Sequence, residues 1–374
     1  MAFQRPVLIV LHGGAGHSAA EAMVSSARVA ATRESAAAAM AAGFEAVIVA
    51  TDSPDDFADM GTGVMVDADV SGEAFRVDER LKGIIRRYGI TKPAVMGSGA
   101  VPLLGITEFQ LIAEQLEQRD ERFVTNNFFS ADLTAWTPGD SIERLGPFER
   151  DNMLPRRLRD EGGLVPVVLP RTTATQFDID TPSDLCVLAL QEGLHPRLQA
   201  AIAPEALPLE RYRRVMRVLC DPKGELVVSG RAGSQAWQYL ERETACKVRF
   251  FSEERGMAAA GPAHRPRSLL GYMVEDVGAE RLFERLATMG DAAIIDTRVI
   301  EAHVGVQPSR ADRFLSDLYW PDEISDAFLG RFTAAAEAAP IPVLLGGHSL
   351  VSGGLMALND IAWIENDRRE GRLP

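Results

Sequence analysis

The chain has 374 residues, of which 46% are hydrophobic, and its formal net charge at pH 7 is −14. This length and apolar content predict two packed domains. The negative charge excludes non-specific nucleic-acid binding, because a phosphate backbone repels an acidic surface.

The sequence also lacks the features that direct a protein to a membrane or to secretion. No apolar run is long enough to span a bilayer, and no signal-peptide-like segment stands at the N-terminus. Cys186, Cys220 and Cys246 are widely spaced, without the pairing typical of metal ligands. We therefore expect reduced thiols, a cytoplasmic location and no membrane partner.

A glycine-rich loop follows the first predicted strand. Residues 6–11 form an apolar run of the length of a buried strand, and an alanine-rich helix pattern extends to Gly43. A loop between strand and helix presents backbone amides to a phosphate, although such turns occur in α/β folds of any function. The candidate nucleotide-binding residues in this loop are Gly13, Gly14, Gly16 and Ser18.

Further strands are predicted at residues 45–50, 64–66 and 92–96, and they alternate with helices. The helix predicted at 76–88 has a basic outer face, which we interpret as solvated charge. Ser98 and Gly99 follow residues 92–96 in a loop whose backbone could approach a ligand closely. The alternation predicts a largely parallel sheet with helices on both faces, and a ligand at the carboxyl ends of its strands.

A polar cluster interrupts the strand predicted at residues 123–129. Asn126, Asn127 and the nearby Asp132 could contact an acceptor substrate or the edge of a base. The alternative is that they satisfy backbone groups in a turn. The sequence leaves both interpretations open.

The most informative segment is residues 175–185, which precedes an apolar helix pattern. Thr181, Pro182 and Asp184 suit the start of a helix as cap, first helical residue and capping-box acid. If the residues before the cap are extended, Asp178 and Asp180 point to the same side. Two carboxylates there could hold a hard cation together with its phosphates. The alternative is a capped helix preceded by two solvated aspartates.

The sequence Phe-Asp-Ile-Asp-Thr-Pro-Ser-Asp-Leu at 177–185 resembles the closing motif of the MobA-like nucleotidyltransferases, and the likeness covers residues 6–190. It implies a Rossmann-like α/β domain of the glycosyltransferase-A type. The implied reaction transfers a nucleoside monophosphate from a nucleoside triphosphate to a small phosphorylated or sugar-like acceptor and releases pyrophosphate. The resemblance also implies Mg²⁺ on Asp178 and Asp180, the glycine loop on the nucleotide, and Asp132 with Asn126 and Asn127 facing the acceptor.

Two loops depart from the family pattern. The arginine and lysine that usually follow the glycine loop are missing, and Ser98 and Gly99 replace the family's principal magnesium-binding aspartate. One alternative to the enzyme is therefore a catalytically degenerate module that binds a nucleotide or sugar nucleotide. Another places the activity in the C-terminal half of the chain.

Residues 193–214 are rich in proline and charge, and we predict that they link a first domain, 1–192, to a smaller α/β domain, 215–374. The second domain carries no family motif, but glycines and hydroxyls at its strand-to-helix turns suit an anion. Tight-turn packing is the alternative. The residues expected to bind the anion are Ser229, Arg231, Ser234 and Ser349, with Arg231 making a bidentate contact. The oligomeric state stays open, a homo-oligomer included.

Overall fold

A computed structural model describes residues 3–14, 16–69, 75–257, 260–261 and 263–373. These residues divide into two compact units. Unit 1 comprises the described residues of 1–15, 25–178 and 195–198, and unit 2 comprises those of 16–24, 179–194 and 199–374. Among the described residues, no helix has the length and apolar composition needed to cross a bilayer.

Unit 1 is built on a seven-stranded sheet, counting its described residues. The strands β1 to β7 are Val7–His12, Ala46–Thr51, Val64–Ala68, Pro93–Gly97, Arg122–Thr125, Leu133–Thr137 and Val165–Val168. Their order across the sheet is β3-β2-β1-β4-β6-β5-β7. Only β6 runs antiparallel to its neighbours β4 and β5, and the other pairings are parallel.

Helices cover both faces of this sheet. The helices α1 to α5 are Ala19–Ala41, Val77–Tyr88, Ile106–Gln118, Leu154–Asp160 and Thr173–Gln176, and α1 begins with residues of unit 2. Alternate residues of β1 enter two hydrophobic cores, with Leu8 and Val10 in one and Val7 and Ile9 in the other. Successive side chains of a strand point to opposite faces, so β1 is buried on both, as in the centre of a parallel sheet.

Unit 2 contains a smaller sheet, which has four parallel strands among the described residues. The strands β8 to β11 are Glu225–Gly230, Lys247–Ser252, Ala292–Asp296 and Val343–Gly346, in the order β11-β10-β8-β9. The helices α6 to α14 are Pro182–Leu190, Pro196–Ala201, Leu209–Leu219, Ser234–Glu243, Leu269–Leu286, Thr297–Val304, Arg310–Asp317, Ala327–Glu337 and Leu355–Arg369, and α7 begins with residues of unit 1. A π-helical turn, Leu350–Gly354, leads into α14.

The predicted α/β class is confirmed, with a mainly parallel large sheet and a second, smaller one. One strand differs from its prediction. The strand predicted at 123–129 ends at Thr125, and the following strand β6 was not predicted. Residues 193–214 contain α7 and the first turns of α8, and their role as a linker stays a prediction.

Candidate functional site

The carboxyl ends of β1 and β4 form the topological switch point of unit 1. From β1 the chain proceeds to β2 and β3 on one side of the sheet, and it then returns to place β4 on the other side. Ligands of open α/β sheets bind in the crevice at such a point, because the loops leaving the two strands diverge there. Here those loops begin at Gly13 and Ser98, and the N–H of Ser98 donates a 3.0 Å hydrogen bond to the carbonyl of Leu11.

The Gly13–Gly14 turn already contacts a carboxylate. Gly14 has a φ of 76°, a left-handed conformation that glycine adopts without steric strain. Its N–H donates to Oδ2 of Asp52, the first residue beyond β2, at 3.1 Å. The hydroxyl of Ser53 donates to Oδ1 of the same carboxylate at 3.0 Å. An amide that we expected to serve a phosphate therefore serves an internal anion.

His12 ends β1 directly before this turn, and it is only 4% exposed. Its ring packs edge-to-face against Phe57, with 5.0 Å between centroids. Neither ring nitrogen has a hydrogen-bond partner among the described residues. Burial lowers the pKa of His12 despite the opposing charges of Asp56 and Asp52, so the imidazole is neutral at pH 7.

The loop after β4 brings Asp178 to the same edge of the sheet. Ala100 and Asp178 form an isolated antiparallel bridge, and the N–H of Val101 donates to Oδ1 of Asp178 at 3.2 Å. Val101 has a φ of 39°, which is strained for a β-branched residue. In unit 1, Gly13, Ser98 and Asp178 thus lie at the carboxyl edge, the edge proposed for the ligand.

Asn126 satisfies backbone groups of a turn, which is the alternative that the sequence left open, and its contact with an acceptor stays a prediction. It is buried, and its Oδ1 accepts hydrogen bonds from the N–H groups of Asp132 and Leu133 at 3.0 and 3.1 Å. Its Nδ2 donates to Oδ2 of Asp132 and to the carbonyl of Thr175, both at 2.9 Å. These bonds use its whole amide group. Asn127 accepts from the N–H of Phe129 within the same turn.

Gly16 and Ser18, expected to contact a nucleotide, belong to unit 2. Ser18 forms a capping box at the start of α1, since its hydroxyl accepts from the Glu21 N–H and its own N–H donates to Oε2 of Glu21, to which the hydroxyl also donates. Arg310 pairs with Glu21 at 2.6 Å, and this bond lowers the pKa of Glu21 to about 2. The hydroxyl of Ser18 is therefore held by an ionised internal carboxylate.

The start of α6 in unit 2 contains the predicted capping acid, Asp184. Asp184 is fully buried, and its Oδ2 accepts from the N–H groups of Asp180 and Thr181 and from Ser349 Oγ at 2.8–2.9 Å. Its Oδ1 has no partner among the described residues. Burial raises the pKa of Asp184 to about 7, and the charge of Asp180 contributes. Asp180 itself lies 3.8 Å from Nδ1 of His348.

The guanidinium of Arg231 pairs with the carboxylate of Asp296, and its bidentate contact with an anion stays a prediction. Its Nε and Nη2 donate to the buried carboxylate of Asp296 at 2.6 and 3.0 Å. Arg298 pairs in the same way with buried Asp317, at 2.7 Å for each bond. The loop after β8 is therefore held by an internal ion pair with Asp296, the last residue of β10.

The three hydroxyls expected in the same cleft have separate surroundings. Ser229 is buried within β8, and Ser234 is exposed at the first residue of α9. Ser349 donates to Asp184. The predicted contacts of these three serines with one anion therefore stay a prediction, because their surroundings do not show that they line a common cleft.

The described residues do not form a complete metal site. Within the described part of the chain, no three His, Cys, Asp or Glu side chains are grouped so that they could hold a metal ion. Asp178 belongs to unit 1 and Asp180 to unit 2. One carboxylate is nevertheless compatible with Mg²⁺, which commonly takes one or two protein carboxylates and its remaining ligands from phosphates and water.

Sequence reasoning assigned no role to Asp52 or His12. Asp52 directly follows an apolar strand, and this position alone could have indicated a residue at the carboxyl edge. His12 follows Leu8 and Val10 on the face of β1 that points to the hydrophobic core. Histidine is less often fully buried than the aliphatic residues, so its presence at this position could have been noticed in the sequence.

Comparisons with known proteins yield structural similarity only. No family model matches the chain, and no curated protein matches it. A nucleotidyl transferase from Methanothermobacter has 15% identity and a TM-score of 0.36, and the match covers 46% of this chain and 90% of that one. A cytidylyltransferase from Leptospira borgpetersenii has 17% identity and a TM-score of 0.40, with 52% and 89% covered. A CMP:2-keto-3-deoxy-manno-octonic acid synthetase complexed with CTP has 12% identity and a TM-score of 0.33, with 44% and 91% covered.

Proposed function

We propose that unit 1 binds a nucleotide in the crevice between the ends of β1 and β4. The observation that carries this proposal is the convergence of Gly13–Gly14, Ser98–Gly99 and Asp178 at the switch point of the sheet. Small residues there let a ligand approach the backbone closely. The resemblance of residues 177–185 to the closing motif of MobA-like nucleotidyltransferases points to the same class of ligand.

The proposed reaction is nucleotidyl transfer. An oxygen of a small phosphorylated or sugar-like acceptor forms a bond to the α-phosphorus of a nucleoside triphosphate, and a hydroxyl acceptor releases its proton to solvent. The bond from that phosphorus to the bridging oxygen breaks, and pyrophosphate leaves with the electron pair. Asp178 would hold Mg²⁺, which when bound neutralises charge on the phosphates. The chain itself contributes mainly by positioning the two substrates.

The acidic surroundings of the loop support a role for a cation. Asp52 occupies the N–H of Gly14, and the loop lacks the family's arginine and lysine. A triphosphate entering without a counterion would meet carboxylates, and like charges at close range repel. We therefore infer that a triphosphate binds here only together with a divalent cation.

The same observations favour a second candidate, a module that binds a nucleotide without transferring it. Asp52 on Gly14 and the Ser98–Gly99 replacement both weaken the grip on a triphosphate compared with the family pattern. A ligand with less phosphate charge, such as a nucleoside monophosphate or a sugar nucleotide, suits such a loop better.

A thermal-shift panel separates these proposals. The protein is heated with each of the four ribonucleoside triphosphates, the four monophosphates and a set of sugar nucleotides, with MgCl₂ or with EDTA. At 100 times its Kd a ligand stabilises the fold by about 2.7 kcal/mol. Stabilisation by a triphosphate only with magnesium supports the transferase, which a pyrophosphate-release assay then tests. Metal-independent stabilisation by monophosphates or sugar nucleotides supports the module. If no nucleotide shifts the melting temperature, both proposals fail.

A further inference from the structure

His12 is a polar group that the core of unit 1 does not require. Its side chain follows Leu8 and Val10 on one face of β1 and packs against Phe57, where an apolar residue would fit the pattern. A neutral imidazole has one N–H donor and one acceptor nitrogen. Both lack partners among the described residues, and buried groups in that state destabilise a fold. A residue that the fold would do better without is a candidate for a role in function.

The position of His12 indicates what it could contact. It stands at the switch point, one residue before the exposed Gly13–Gly14 turn. The charges of Asp56 and Asp52 raise the pKa of the ring, and the charge of Arg28 lowers it by less than either, so the net field at the ring is negative. That field disfavours phosphate. A phosphate also offers only acceptors, whereas a nucleobase edge offers donors and acceptors and carries no net charge.

We propose that His12 recognises the base of the nucleotide bound to unit 1, by hydrogen bonds between its imidazole nitrogens and the base edge. This inference rests on the proposed nucleotide binding and adds a specificity-determining residue to it. Because both nitrogens are enclosed, the Gly13–Gly14 turn moves when the base enters. In the free protein the buried imidazole lacks hydrogen bonds, and the base supplies them when it binds. Recognition of the base is therefore coupled to the movement of the Gly13–Gly14 turn.

The test compares His12→Leu with the matched control Ser141→Ala. Ser141 is also buried in unit 1, and its hydroxyl also has no partner among the described residues, but it lies in the 3-10 turn Gly139–Arg144, away from the switch point. Melting temperatures are measured without ligand. Calorimetry then gives the Kd of AMP, CMP, GMP and UMP, and of inorganic pyrophosphate as a probe without a base.

His12→Leu is expected to raise the melting temperature and to weaken the affinity for the best-bound monophosphate about tenfold, the effect of one or two lost hydrogen bonds. Discrimination among the four bases should shrink, and the affinity for pyrophosphate should stay unchanged. Ser141→Ala should change none of the Kd values. His12→Asn keeps a donor and an acceptor, and it should recover part of the lost affinity.

The other outcomes overturn the inference. A lower melting temperature in His12→Leu would mean that the imidazole supports the fold. An equal loss of affinity for the monophosphates and for pyrophosphate would mean that His12 contacts the phosphate and not the base. Wild-type affinities in His12→Leu would refute the contact while nucleotide binding stands. If the wild-type protein binds no nucleotide at all, the proposed function fails, and the role of His12 fails with it.

Discussion

Replacing Asp178 with asparagine separates its charge from its hydrogen bond. Asparagine keeps an acceptor for the N–H of Val101, so the bridge between Ala100 and residue 178 should persist. The negative charge that would hold magnesium is lost. We expect magnesium-dependent affinity for a triphosphate to fall by at least roughly tenfold, the lower limit even for groups that only support metal ligands. Calorimetry with and without MgCl₂ measures this, and the melting temperature of the free protein should be unchanged.

Asp178→Ala provides the comparison, because it removes the charge and the acceptor together. It should lower both the affinity and the melting temperature. If Asp178→Asn binds the triphosphate with wild-type magnesium dependence, the carboxylate has no metal role.

Asp184 gives a pH-dependent prediction for unit 2. Its pKa is about 7 in the folded chain, compared with 3.8 as the ordinary value. Between these values the folded protein holds a proton that the unfolded chain has released. The free energy of unfolding therefore falls as the pH rises through this window, by at most about 1.4 kcal/mol per pH unit from this group, and the loss is complete above pH 7.

Asp184→Asn removes this titration, and its stability should change less between pH 5 and pH 7.5 than that of the wild type. Urea unfolding at the two pH values checks this. Ser349→Ala is the control, because it removes one hydrogen bond to Asp184 and leaves the carboxyl group in place. Parallel stability curves for the wild type and Asp184→Asn would show that Asp184 is ionised in the folded protein.

At the scale of elements, the β5–β6 turn depends on Asn126. Alanine there would leave the buried N–H of Leu133 without its side-chain acceptor and would release Asp132 and Thr175. We expect Asn126→Ala to reduce the free energy of unfolding by about 2–4 kcal/mol. The affinity of the folded protein for nucleotides should stay as in the wild type. Chemical denaturation measures the stability and calorimetry the nucleotide affinity. A loss of affinity without a loss of stability would mean that Asn126 contacts the ligand.

The same turn shows which elements the sequence could predict. The strands near the centre of the large sheet were predicted from apolar runs, because both faces of β1 are buried. The antiparallel β6 was missed, since the pattern cannot reveal that Asn126 ends β5 and pairs with backbone groups of the next strand. The start of α6 was predicted correctly, because capping is local. Ser349, a third donor to Asp184 besides Asp180 and Thr181, is 165 residues away, and no local pattern could identify it.

The basic face of α2 illustrates the same limit. We interpreted these charges as solvated, but Arg80 is 15% exposed and bonds to Asp67 in β3 and to Asp69 just after that strand. Arg87 and Tyr88 also donate to Asp67. A sequence shows that cations share a face of a helix, but the carboxylates that neutralise them come from another element. The same limit applies to the candidate site. The sequence shows the carboxylates Asp52 and Asp178, but it does not show that they bind the N–H groups of Gly14 and Val101.

At the scale of the whole molecule, the notable feature is the assignment of α6. The family resemblance extends to residue 190, whereas residues 179–194 group with unit 2. In α6, Leu185, Cys186, Val187 and Leu188 are all buried, so the helix has no polar face. A short helix that is apolar all round shows no periodic stripe, and the sequence therefore cannot tell which core it joins.

Hydrogen exchange in the intact chain tests this assignment. Leu344 lies in β11 of unit 2 and Leu8 in β1 of unit 1, and both are fully buried. Each change to alanine should cost about 2–5 kcal/mol within its own unit. We expect Leu344→Ala to accelerate exchange in α6, β10 and β11 while leaving β1 and β4 protected. Leu8→Ala should have the opposite effect. If α6 exchanges with β1 in both variants, it belongs energetically to the first unit, as the family resemblance implies.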